Sequence, residues 1–264
     1  FLENERLQAK VKSLGWAGEA KETGRDYLAV VDTNIAGEKS DAVIKESIRH
    51  QAMILPNGQV IDKVIIQRSH NGLKGQLFTG VKNIDYLRAY VPEGSRLLEA
   101  TGFQTPDPKK FLPIPEDYLP DPQWAPLEEN SEIDSASGTR IWRESGKTVF
   151  GNWVILEPGD TRTVSFKYEL PFTLDFVSDT ANWDWLEHFR DYLGWSSDRF
   201  AYYSLLLQKQ SGSWDTTWQT SLQAPYDWQV VWKYPDSQTD SLVGEGLLDT
   251  DKFSGVIFKK IGTD

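Results

Sequence analysis

The chain reads as mainly β, an antiparallel β-sandwich that is Ig-like or two-lobed, with a short N-terminal helix and one helical insertion. Three observations lead there. About eleven short runs of apolar and β-branched residues are separated by Gly, Pro, Asn and Asp turn signals. Helical periodicity is confined to two short stretches. Among 264 residues there is no Cys and one Met, but there are 11 Trp, so the chain needs a large apolar core and no disulfides.

The first stretch with helical spacing holds Leu7, Val11 and Leu14 at i, i+4 and i+7, with Gly15 as C-cap and Trp16 placed to pin the helix down. The chain begins at Phe1, and residues 1–24 are expected to be the helical tail of a preceding region. Residues 25–104 form a first β lobe. Tyr27 to Val31 is a run suited to a buried strand. Val43 to Leu55 and Gln59 to Ser69 flank Pro56-Asn57-Gly58, a hairpin signal because Asn and Gly tolerate positive φ. Val60, Val64 and Ile66 share one parity of the second arm. Tyr86 to Val91 and Arg96 to Ala100 follow, joined by Pro92-Glu93-Gly94.

Residues 105–137 carry seven of the 13 prolines amid acidic residues. Proline cannot donate to a β-ladder, so this reads as an extended insertion, pinned by Phe111, Tyr118 and Trp124. Residues 138–264 form a second β lobe. Its strands are Thr139 to Arg143, Thr148 to Leu156, Thr161 to Leu170, Ala201 to Lys209, Thr217 to Gln223, Asp227 to Lys233 and Lys252 to Lys260. An insertion at 172–200 interrupts them, with Trp185, Phe189 and Leu193 at helical spacing between Asn182 and Leu193.

The net charge of −11 argues against nucleic acid or anionic lipid as partner. No apolar stretch approaches the roughly 20 residues of a membrane-spanning helix. Without cysteine there is no thiol nucleophile, cysteine–zinc site or iron–sulfur cluster. His50, His70 and His188 lack the spacing that puts two imidazoles on one metal, and read as solvated or hydrogen-bonded residues. Asp32-Thr33-Asn34 and Asp249-Thr250-Asp251 offer oxygen ligands but fit no calcium loop. Gly244-Glu245-Gly246 and Gly37-Glu38-Lys39-Ser40 read as turns, not phosphate cradles. No metal, cofactor or enzymatic activity is expected.

The tryptophans are the best binding candidates. Trp183, Trp185 and Trp195 cluster in the 172–200 insertion, where flat rings would stack on sugars. Trp214, Trp218, Trp228 and Trp232 lie among the late strands. Trp228 and Trp232 share parity with Val230, which points to packing. Asp184 and Glu187 would be the carboxyl pair if the chain were a glycoside hydrolase.

Several segments together resemble one family. They are residues 27–41 (Tyr-Leu-Ala-Val-Val-Asp-Thr-Asn-Ile-Ala-Gly-Glu-Lys-Ser-Asp), Ser69-His70-Asn71-Gly72, the stretch from Tyr86 to Ser95, Gly146 to Gly151, Leu156 to Thr161 and Tyr203 to Gly212. In this order they are similar to the C-terminal half of the exported region in the bacterial domain-of-unknown-function 4012 family. Leu14-Gly15-Trp16-Ala17-Gly18 looks like that family's helix-to-strand junction. The resemblance implies a cell-surface or envelope protein processed from a membrane-anchored precursor, and it implies no catalytic residues. The function expected is structural or interactive, with self-association into a homo-oligomer or contact with other envelope proteins. The alternatives are a carbohydrate-binding module acting on a glycan and, after that, a glycoside hydrolase.

Overall fold

The computed structural model describes residues 2–14, 17–35, 38–113, 115, 117–119, 121–122, 124–176, 199–236 and 243–261. The chain opens with α1 (Glu5–Ser13), whose cap Asn4 accepts from the backbone N–H groups of Arg6 and Leu7. Its apolar stripe does not dock, for Leu7 and Leu14 stay exposed. Five strands follow: β1 (Asp26–Val31), β2 (Ile44–Ile54), β3 (Gln59–His70), β4 (Asn83–Pro92) and β5 (Arg96–Thr101). Among its described residues the Pro-rich stretch is irregular apart from a 3-10 turn at Pro108–Lys110, the short α2 (Ala125–Glu129) and a two-residue strand at its end. Of its aromatics, Phe111 packs on Trp153, while Tyr118 and Trp124 are exposed. The remaining strands are β6 (Glu132–Ile133), β7 (Arg140–Glu144), β8 (Lys147–Leu156), β9 (Thr161–Thr173), β10 (Phe200–Gln208), β11 (Thr217–Gln223), β12 (Trp228–Tyr234), β13 (Val243–Leu247) and β14 (Lys252–Lys260).

Among the described residues these build two sheets. The larger runs β12-β14-β10-β1-β4-β8-β7-β6 and the smaller β13-β11-β2-β3-β9-β5. Both draw strands from residues 25–104 and from 138–264, so the two stretches share one core. The expected β-sandwich layout is present, with one departure. The sheets are mixed, because β1 pairs with β10 and β2 with β11 in parallel. Parallel neighbours need a long crossover, and local turn signals carry no trace of it.

The Pro56-Asn57-Gly58 turn joins β2 to β3 as expected, with Ile54 opposite Val60. Gly58 alone takes positive φ (+82°), and a Cβ there would lie 2.3 Å from the Leu174 carbonyl oxygen. Alternation then sorts the strands. Leu28, Val30, Ile48, Val64, Ile66, Leu87, Ala89, Phe150, Phe166 and Tyr168 fill the space between the sheets. The opposite face of the larger sheet carries a second, smaller cluster of Tyr27, Ala29, Tyr90 and Val149. Trp228 joins the main core, edge-on to Phe176 and Phe258.

Trp232 does not follow Trp228 inward. A bulge between Val230 and Trp232 adds one residue against β14 and reverses the parity beyond it, leaving Trp232 partly exposed. Gly244-Glu245-Gly246 is not a turn but most of β13, paired with β11. Gly244 makes room for Trp218, whose indole would lie 2.7 Å from an added Cβ.

Candidate functional site

Inward-facing positions of a sandwich are normally apolar, yet β1, β2, β3 and β4 place charges there. Asp26 precedes Leu28 and Val30 on β1. Glu46 and His50 flank Ile48 on β2, and Asp62 and Arg68 flank Val64 and Ile66 on β3. Asp85 precedes Leu87 on β4. The pairing of the sheets gathers them into two buried ionic centres with apolar core between.

The inner centre is Asp26, His50 and Asp62, each fully buried. His50 Nε2 lies 3.5 Å from a carboxylate oxygen of Asp26 and 3.5 Å from one of Asp62. On the other side of the ring, Nδ1 is 3.0 Å from Thr220 Oγ1 on β11. Asp26 accepts from the Tyr203 hydroxyl on β10 and from the Tyr27 N–H at 2.7 Å. Tyr168 on β9 sits beside Asp62, whose charge, after burial itself, raises the phenol pKa well above its ordinary value. Burial alone would lower the imidazole pKa, but the facing Asp62 and Asp26 charges reverse this and push it up. Asp62 is pushed up by burial and by Asp26, with His50 opposing. An imidazole nitrogen and two carboxylates within 4.8 Å of one another can share a proton or hold a small cation.

The outer centre surrounds Arg68. Its Nη1 is 2.6 Å from Asp85 Oδ2 and 3.7 Å from Asp32 Oδ1, and its Nε is 3.6 Å from Glu46 Oε2. Three carboxylates share one guanidinium. Burial and the neighbouring Asp32 charge hold Asp85 and Glu46 well above the usual carboxylate range, against the pull of Arg68. Arg68, Glu46 and Asp32 line a groove of about 1000 Å³, which Trp214 also lines. Trp214 is 84% exposed.

Of the residues singled out from the sequence, Trp183, Trp185, Trp195, Asp184, Glu187 and His188 lie outside the described residues, as does the helix expected over Asn182 to Leu193. His70 is buried and hydrogen-bonded, accepting at Nδ1 from Gly72 N–H and bonding the Val81 carbonyl through Nε2. Asp32 belongs to the outer centre. Asp249 pairs with Lys252, and Asp251 with Lys21 at 2.5 Å, so that loop spends its carboxylates on lysines. Spacing motifs miss the inner centre because its residues come from three strands. The readable signal was parity, since Asp62 and Arg68 fall on the same face as Val60, Val64 and Ile66.

No protein-family model matches the chain, and no curated protein matches it. Among solved structures, it is similar to the crystal structure of a Legionella pneumophila protein described provisionally as nutrient-binding. The identity is 10% and the TM-score 0.38, over 88% of this chain and 71% of that one.

Proposed function

We propose that this chain is an exported, cell-surface interaction protein that associates with a second copy by pairing along β12. What carries the reading is that, among the described residues, β12 is the longest of the four sheet-edge strands and the one that exposes large aromatic side chains. An edge strand presents unpaired N–H and C=O groups, and proteins blunt such edges with shortness, charge, glycine or bulges. β6 has two residues. β5 carries Arg96 and Glu99 and is bulged between Leu97 and Glu99. β13 reads Val-Gly-Glu-Gly-Leu. β12 is seven residues long. Beyond its bulge, Trp232, Lys233 and Tyr234 pair regularly with β14. Trp232 and Tyr234 are 37% and 53% exposed, with Phe253 exposed beside Tyr234. A groove of about 890 Å³ runs along the strand.

The resemblance to an envelope family supports placing the protein outside the cell. The role is one of contact rather than catalysis. Sedimentation velocity on the wild type and on Trp232→Lys/Tyr234→Lys tests it. The wild type should associate as concentration rises toward about 100 µM, and the charged edge should stay monomeric with unchanged circular dichroism. A monomeric wild type over that range would sink the proposal.

A second reading, glycan binding, is favoured by the exposed faces of Trp214, Trp232 and Tyr234. Glycan-array binding that is lost in Trp214→Ala or Trp232→Ala, on a chain that stays monomeric, would put this reading first.

A further inference from the structure

We propose that Asp26, His50 and Asp62, with the Tyr168 hydroxyl, form a buried site for one Zn²⁺ that ties the two sheets together. The spacing fits. A tetrahedral centre with bonds of about 2.0–2.1 Å holds its ligand atoms about 3.3–3.4 Å apart. His50 Nε2 stands 3.5 Å from an oxygen of each aspartate.

The atoms facing this point lack other partners. His50 Nε2, both carboxylate oxygens of Asp62 and the Tyr168 hydroxyl are buried with no hydrogen-bond partner outside the cluster itself. Buried polar atoms are ordinarily bonded, so these atoms, which converge from β2, β3 and β9 of one sheet on Asp26 of the other, call for one shared partner. Supporting contacts are in place as well. Thr220 holds His50 by Nδ1, which leaves Nε2 toward the carboxylates. Tyr203 and the Tyr27 N–H fix Asp26. Such outer contacts orient ligands and set their basicity in metal sites.

The donor set selects the ion. Calcium and magnesium take oxygen ligands, and an imidazole nitrogen turns the site toward zinc. The competitor for the same space is a proton on His50, which would make an imidazolium between two carboxylates. Zinc displaces that proton. With the side chains of Asp26, His50 and Asp62 at zero exposure and Tyr168 fully buried, the ion enters as the chain folds.

The test uses the full chain, without a histidine tag, expressed in medium supplemented with Zn²⁺, supplemented with Co²⁺, or depleted of both. After gel filtration, elemental analysis should give about one zinc per chain. The zinc-grown protein should melt above the depleted protein. The cobalt-grown protein should show the strong visible absorption of a four-coordinate site. Asp62→Asn keeps the side-chain shape and should cut bound metal about tenfold or more. Should that variant not fold, Thr220→Val keeps every ligand and should weaken retention about 10–100-fold. Wild-type protein carrying no zinc, or variants binding as much as wild type, would overturn the site and leave the trio an ion cluster.

Discussion

Replacing Arg68 with Met removes the guanidinium at the middle of the outer centre while keeping an unbranched chain. The three carboxylates it faces, Asp85, Asp32 and Glu46, stand 2.6–3.7 Å from its nitrogens. Removing one partner of a buried ion cluster costs about 3–5 kcal/mol, because the remaining charges stay buried and unpaired. In a chain of this size 1 kcal/mol is worth roughly 2–4 °C, so Tm should fall by about 6–20 °C. Urea unfolding at pH 7.5, followed by tryptophan fluorescence and far-UV circular dichroism, measures both midpoint and slope. An unchanged slope assigns the effect to stability, not to the compactness of the unfolded chain. Adding Asp85→Asn should recover about 1 kcal/mol or more, since it removes a charge the first change stranded. A loss under about 1 kcal/mol, as for an exposed pair, with no recovery in the double variant, would refute the reasoning.

Other outcomes follow from the same structure. Glu46 and Asp85 have raised folded-state pKa values, so the folded chain holds protons that the unfolded chain releases. Their contribution is full below the unfolded carboxyl range, about 4, and declines as pH rises through the raised values. Melts between pH 5 and 8 should show that decline, and Glu46→Gln should flatten it; an unaltered slope counts against it. Phe166→Ala empties a fully buried site next to Phe150 and Phe103 and should cost about 3–5 kcal/mol in chemical denaturation. Gly151→Ala would set a Cβ 2.6 Å from the Tyr86 hydroxyl and 2.7 Å from the Trp142 ring. It should cost about 1–3 kcal/mol by calorimetry, and a neutral result would contradict the packing of Trp142 on β8.

Much of the fold was legible in the residues. The Pro56-Asn57-Gly58 hairpin, the alternation of β3 and the bounds of β11 and β14 are local properties, and local physics writes them into the sequence. What escaped was set by distant partners. Nothing near Tyr27 announces that β1 lies parallel to β10. Gly244-Glu245-Gly246 reads as a turn until Trp218 is seen filling the space its missing side chain leaves. Trp232 changed face because of one extra residue on β12, and a bulge is a property of pairing rather than of the strand alone. The ionic centres were half-legible. Charges at the core parity of β2 and β3 stand out once alternation is followed past Val60 and Val64, whereas their union with Asp26 and Asp85 exists only when two sheets face each other.

Amide hydrogen exchange on β12, read as a function of protein concentration, tests strand-paired association most directly. Slower exchange is expected for the β12 amides that point away from β14 as concentration rises, with β5 and β13 unchanged, because strand pairing buries and bonds that edge. Identical exchange along β12 at every concentration would contradict it.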